Sequence, residues 1–413
     1  MKLKSILLFS DNYVPEMNAN ARIFSELAEL WVQMGCEVSV ITSHPNFPRG
    51  TIYPGYRNNW LTKEEINEVK VHRVKTYVHP NKGFIRRSFD FLSFGISGFI
   101  FGLFRGKGEI IIGVTPQFFC AFFACLLAVI RKKPFLLVLC DLWPDSIVAN
   151  QLMKKNILYR VIKRLELWMY RQASSIAVLS EHFKHYLMQL QIPEGQIFLS
   201  IAAPSAAFYP REKCQQLIQT YALSTKFIVG YLGTLGISQG LDDILKVVDE
   251  LHAHNAITFM MVGDGVKRHE LHHQALTRTN LVVDGPVPGE KMPEYWSILD
   301  IALVSLADTP TNKTVLPSKI LESLAMGIHV ILYAPEGEAS RFMGVLNVGW
   351  FVHVGELTAL TNLITYLAQS PKSVEEQKQQ ALKAAAKFSR EQQARELLER
   401  MDLLNGWNEH GTL

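Results

Sequence analysis

The run LPSKILESLAMG at residues 316–327 sets a lysine and a glutamate three residues apart just behind a proline–serine pair. Pro317 and Ser318 are good helix-entry residues and Gly327 is a good stop, so the segment reads as a short helix. Its first N–H groups lack partners within the helix and its dipole is positive at that end, a combination suited to a diphosphate. Lys319 lies in the first turn, where the dipole alone disfavours a cation. A bound anion would account for it. Glu322 falls on the same face, placed to accept hydrogen bonds from ribose hydroxyls, although an ordinary i,i+3 surface ion pair is the alternative.

Other positions carry chemistry less sharply. Asp141 follows an apolar strand and opens DLWPD (141–145), a pattern equally at home in a structural turn. Glu16, Asn18 and Arg22 come just after the first strand, where phosphate or acceptor contacts arise, and Arg22 fits a surface turn as well. Gly233 permits close backbone approach or simply turns the chain at a strand end, and Gly263 and Gly265 read mainly as turns.

These residues need strands to present them. Apolar runs at residues 6–9, 37–42, 109–113, 135–139 and 175–179 alternate with helical stretches such as 21–34. A second series at 227–232, 258–262, 281–283, 301–304, 329–332 and 351–354 alternates with helices at 241–252 and 318–325. Such alternation predicts βαβ units and parallel sheets. The expected fold is α/β, two facing Rossmann-like doubly wound domains with a cleft between them, where ligands lie beyond the carboxyl ends of the strands. The expected divisions are 1–205, 206–385 and a C-terminal helix at 386–413 packing back on the first domain. The Lys/Glu/Gln/Ala/Leu-rich tail at 373–404 reads as two helices.

The length of 413 residues and a hydrophobic share of 48% suit two substantial cores. Five cysteines without CxxC spacing argue against a disulfide framework or zinc site and for a reducing compartment. Residues 1–10 read as a first strand rather than a leader. Residues 1–200 hold 24 Lys and Arg against 15 Asp and Glu, whereas the rest holds 18 against 23. That asymmetry fits either a polyanionic surface met by the first half or uneven solvated charge. The apolar stretch 118–130 is too short to span a bilayer and reads as core. Residues 89–104 are flanked by Arg86, Arg87, Arg105 and Lys107, so an interfacial helix and a core or inter-domain helix both fit. No spanning segment is predicted.

Taken in order, LPSKILESLAMG, YLGTLGISQG (231–240), MVGDG (261–265) and DGPVPGEKMPEY (284–295) resemble retaining glycosyltransferases of family 4. The likeness is greatest to the branch adding N-acetylfucosamine-type sugars to polyprenyl-linked intermediates of bacterial surface polysaccharides. YVPEMNANAR (13–22), HPNFPRG (44–50), GYR (55–57), TP (115–116) and DLWPD extend it through the first half. The resemblance implies the GT-B architecture, with a UDP-sugar held mainly by the second domain. It assigns Glu322 to the ribose and Lys319 to the diphosphate, with Ser318 also among the donor-binding residues. Gly233, Thr234 and Gln239 would lie at the phosphates, Gly285 and Val287 around the base, and Glu338 at the sugar or the cleft. Asp141 would sit near the reacting sugar, with Trp143, Asp145, Glu16, Asn18 and Arg22 on the acceptor side. The leaving diphosphate then needs cations and N–H groups more than a nucleophile.

The chain also departs from the pattern. Thr234 and Gln239 stand where many members have arginine and lysine, Thr314 replaces the first glutamate of Glu-x7-Glu, and IAAPSAAF (201–208) replaces an Asn-containing turn. The expected activity is retaining transfer of an N-acetylated deoxyhexose from UDP to a polyprenyl-diphosphate-linked acceptor in O-antigen or capsule synthesis. The setting is the cytoplasmic face of the membrane, reached through residues 89–104 and the basic first half. A catalytically weakened nucleotide-sugar-binding partner is the alternative. No metal or other cofactor is expected, since Asp11, Asp284 and Asp300 stand apart. Nucleic acid has no motif beyond charge, and a nicotinamide site lacks its GxGxxG loop.

Overall fold

The protein is described by a computed structural model covering residues 3–409 except 17, 48, 80–83, 146–147, 149–155 and 202, with backbone alone at 84–87, 371–377 and 406–409. It divides into two compact units, Met1–Ala202 with Arg390–Leu413, and Ala203–Ser389.

In the first unit the strands are β1 (Ser5–Phe9), β2 (Glu37–Ser43), β3 (Leu61–Ile66), β4 (Val69–Val74), β5 (Ile110–Val114), β6 (Phe135–Leu139), β7 (Ser175–Val178) and β8 (Ile197–Leu199). They lie in the order β3-β4-β2-β1-β5-β6-β7-β8. Every ladder is parallel except that of the β3–β4 hairpin. Central strands such as β5 and β6 are buried along their whole length, as expected of a sheet covered on both faces. The Phe118–Arg131 helix buries Cys120, Ala121, Ala124, Cys125, Leu127 and Ala128, so the 118–130 stretch is core.

The Arg390–Glu409 helix belongs to this unit. Its Ala394, Leu397, Leu398 and Met401 enter the same core as Trp31, and the Trp31 indole donates to the Ala394 carbonyl at 3.0 Å. Arg390 pairs with Glu26 at 3.0 Å.

The second unit holds β9 (Phe227–Leu232), β10 (Ile257–Val262), β11 (Leu281–Asp284), β12 (Ile301–Ser305), β13 (His329–Ala334) and β14 (Trp350–His353). Their order is β11-β10-β9-β12-β13-β14, all parallel. This is the Rossmann order 3-2-1-4-5-6, whose direction of winding reverses between β9 and β12. The β9–β12 ladder pairs only Val229 with Ile301 and Gly230 with Ala302, so the carboxyl ends of these two strands are not zipped together. A crevice at that point is where such sheets receive ligands.

The Phe84–Arg105 helix packs through one face only. Phe94 is fully buried, and a Cβ on Gly95 or Gly102 would lie 2.4 Å from Phe123 or 2.6 Å from Leu127. The other face leaves Phe89, Ile96, Ile100 and Phe104 exposed. Its window Ser88–Arg105 is long and apolar enough to cross a membrane by length and composition. The side chains of Arg86 and Arg87 lie outside the described residues, as does Ala202 of the 201–208 segment.

Candidate active site

The carboxyl ends of β9, β10 and β11 approach so closely that side chains are excluded from three positions. A Cβ on Gly263 would lie 1.7 Å from the Gly233 carbonyl oxygen, and one on Gly285 would lie 2.5 Å from that of Gly263. Gly265 stands in the same relation to Leu235, at 2.2 Å. Turning the chain, the reading given to Gly263 and Gly265 from sequence, is thus the lesser part of their work: they let neighbouring backbones touch.

Gly233 combines a φ of +124° with a neighbour from another element, since a Cβ there would lie 2.6 Å from Cε of Lys319. The lysine comes from the first turn of the Ser318–Ala325 helix, which follows the loop after β12 and is preceded by Pro317. Among the described residues no side chain caps that helix. Its stem runs over the Gly233 backbone, and the ammonium donates to the Tyr231 hydroxyl, 3.7 Å from the centre of the same ring. Burial lowers the lysine's proton affinity to a pKa of about 7, and attraction by Glu322 only partly opposes this. Ser318 is exposed and Glu322 half-buried on the same short helix.

The loop after β9 is clamped by the loop after β12. Asn312, buried, donates to the Ser238 and Ala307 carbonyls, both at 2.8 Å, and Ser305 Oγ donates to the Gln239 carbonyl at 2.6 Å. Thr234 is exposed, while the Gln239 side chain folds back over Gly236. Asp284 receives the Gly285 N–H at 2.7 Å and the hydroxyls of Tyr221 and Tyr295. Burial raises its pKa, but these bonds outweigh it, and the carboxyl sits below its usual range. The carboxylate thus fixes the turn that carries Gly285 and the half-buried Val287. Glu338 starts the Glu338–Leu346 helix, with its N–H on the Lys313 carbonyl at 2.8 Å and its carboxylate 3.5 Å from Arg341.

In the first unit the corresponding reversal lies between β1 and β5, where Ser10, Asp11, Asn12, Asn20, Thr115 and Gln117 line a narrow crevice. Thr115 Oγ1 receives the N–H groups of Cys140 and Asp141, at 2.6 and 3.3 Å, and so places Asp141 beside the end of β5. Several expected acceptor-side residues hold structure. Glu16 is buried and receives the N–H groups of Asn46 and Phe47 at 2.7 and 2.8 Å, fixing those two positions of the HPNFPRG segment. Burial raises its pKa, and those two bonds oppose the shift. Asn18 caps the Ala19–Gln33 helix at Ala21 N, and Arg22 lies half-buried in its first turn. Trp143 stacks on Phe118 with centroids 5.2 Å apart. Asp145 is tied to Tyr159 and Tyr186 at 2.6 Å and to Lys163 at 2.7 Å.

Tyr231, Asn312 and Thr115 were not assigned these roles from sequence. Tyr231 and Thr115 stand within motifs already noted, but nothing local marks their hydroxyls as anchors.

Residues 21–199 match the family model Glycosyltransferase Family 4, and residues 215–387 match Glycosyl transferases group 1. The chain is a glycosyltransferase. It is 26% identical over 349 residues to the putative colanic acid biosynthesis glycosyl transferase WcaI of Escherichia coli, covering 80% of this chain and 83% of that one. Among solved structures, sucrose-phosphate synthase of Thermosynechococcus elongatus superposes with a TM-score of 0.71 at 15% identity, covering 97% of this chain and 99% of its own. HepE of Anabaena in complex with UDP-glucose gives 0.69 at 14%, with the same coverage. At such identities these structures establish the shared fold of the glycosyltransferase's two Rossmann-like units. Among the described residues no group of three or more His, Cys, Asp or Glu is arranged to hold a metal.

Proposed function

We propose that this glycosyltransferase moves a sugar from UDP to a polyprenyl-diphosphate-linked acceptor in bacterial surface-polysaccharide synthesis, with retention of configuration and without a metal. The sugar proposed is an N-acetylated deoxyhexose. The observation that carries the nucleotide part is Lys319, whose stem crosses Gly233 beside an uncapped helix start at the reversal point of the second sheet. As the glycosidic bond breaks, negative charge develops on the leaving diphosphate, and a cation with free N–H groups stabilises it. Glu322 on the same helix is assigned to the ribose, and Asp141 to the transferred sugar. The relatives support the reading: HepE has been solved with UDP-glucose, and WcaI is named for colanic acid biosynthesis. Thr234 and Gln239 motivate the rival reading of a weakened binding partner.

Incubation with membranes and a panel of UDP-sugars, followed by mass analysis of the polyprenyl diphosphate fraction, tests the transfer. One added sugar with UDP release is expected, and Glu322→Ala should lower it by about two orders of magnitude or more without unfolding the chain. UDP binding with no product from any donor would favour the binding partner.

The membrane part rests on the outer face of the Phe84–Arg105 helix. Ile100 and Phe104 are exposed on this helix and Val129 and Ile130 on the neighbouring one, and Arg131 ties the two helix ends together through the Leu103 and Gly106 carbonyls. Arg105, Lys107, Lys132 and Lys133 lie exposed at the same ends. Apolar side chains bordered by cations suit the boundary of an anionic leaflet. Cosedimentation with vesicles containing phosphatidylglycerol is expected, and Ile100→Asp with Phe104→Asp should abolish it. Equal pelleting of the double variant would refute this placement.

A further inference from the structure

Tyr231 is the penultimate residue of β9, and its side chain is buried. A phenol has one proton to give and lone pairs to receive. The proton goes to the Thr234 carbonyl at 2.7 Å. Toward Lys319 the hydroxyl oxygen is therefore an acceptor, and the ammonium also lies against the face of the same ring. Two attractions from one side chain thus hold the lysine head, while Gly233 leaves room for the stem.

We infer that Tyr231 is a positioning residue for this reaction: it holds the Lys319 ammonium at the end of β9, ready for the diphosphate of the nucleotide sugar. The inference rests on the nucleotide-sugar reading above. The choice of partner has a chemical reason. A carboxylate would hold the lysine as firmly, but it would neutralise the cation and repel the incoming phosphates. A buried phenol keeps its proton and stays uncharged, so it orients the ammonium without cancelling its field. An ammonium has three N–H donors, and one kept on Tyr231 leaves two for phosphate oxygens. Prior ordering of a long side chain removes part of the entropic cost of binding. With Thr234 and Gln239 in place of basic residues, the placement of this cation counts for more.

Calorimetric titration of the full chain with UDP and with uridine separates the roles. Tyr231→Phe keeps the ring and the packing but removes the acceptor. It should weaken UDP binding about tenfold, the order of one charge-assisted hydrogen bond, while uridine affinity stays within about twofold. In a Lys319→Ala background the same change should have no further effect on UDP. Equal weakening of UDP and uridine would overturn the assignment, because a general loosening of the site would then be the cause. A tenfold loss that persists without Lys319 would overturn it too, pointing to the Thr234 bond instead. Unchanged UDP binding by Tyr231→Phe, with Lys319→Ala impaired, would refute Tyr231 alone. A wild-type chain that binds no UDP would remove the nucleotide-sugar reading and this assignment together.

Discussion

Raising the pH should weaken UDP binding through Lys319. In the free protein burial brings the lysine's pKa down to about 7, so above neutrality much of the population carries an uncharged amine. A diphosphate beside that amine favours the protonated form and raises its pKa in the complex. Binding above pH 7 therefore takes up a proton, and affinity falls with each further unit. The full slope is tenfold per pH unit, about 1.4 kcal/mol, until the pKa of the complex is reached. If the complex holds its proton to pH 9, the step from pH 7 to pH 9 costs about 2.3 kcal/mol, roughly fiftyfold in Kd, because half of the lysine is already neutral at its pKa. Above pH 7 the ligand does not mask the effect, because a terminal phosphate whose last pKa lies near 6, as in phosphorylated side chains, has by then lost most of that proton. Titrations from pH 6.5 to 9, run in two buffers of different ionisation heat, measure both the slope and the proton uptake. Lys319→Arg should flatten the profile, since a guanidinium stays charged throughout. A level wild-type profile, or proton release on binding, would refute the argument that the free lysine is held partly neutral.

Three further outcomes follow from the geometry. Gly263→Ala forces a backbone shift against the Gly233 carbonyl and should destabilise the second unit by about 3 kcal/mol or more, whereas Gly195→Ala, with open space around it, should stay within about 0.5 kcal/mol; thermal melts compare them. Asn312→Ala leaves the Ser238 and Ala307 carbonyls without their donor and should cost about 1–3 kcal/mol in denaturant unfolding, together with weaker UDP binding. His44 is fully buried between the Val74 carbonyl and Thr62 Oγ1, both at 3.1 Å, and burial lowers its pKa. The unfolded chain gains a proton near pH 6.5 that the folded one resists, so stability falls as pH drops below that value, by at most about 1.4 kcal/mol per unit. His44→Gln should remove that share of the acid slope, and identical slopes would exclude it.

What the sequence revealed depended on whether the cause of a feature was local. The β9 strand and the Ser318–Ala325 helix were legible to the residue, because a buried parallel strand is a short apolar run and a helix start announces itself through proline and serine. The β3–β4 hairpin was not. Its turn places Asn67 and Glu68 at positive φ without a glycine, and β3 reads Leu-Thr-Lys-Glu-Glu-Ile, an edge strand dressed in charge. Arg73 on β4, a charge that no local pattern marks as interior, is fully buried, donating to the Ser43 carbonyl at 3.0 Å and to the Val14 carbonyl at 2.5 Å, and paired with Glu64. The site shows the same division. Lys319 and Glu322 stand out because both lie on one short helix, but Tyr231 is 88 positions from Lys319 in the chain. Only the sheet order joins them, by bringing the helix after β12 to the end of β9. Gly263 is the plainest instance. Its sequence context gives a turn after a strand, and the reason no side chain fits there is a carbonyl just past the end of the neighbouring strand, thirty residues away and present only once β10 lies beside β9.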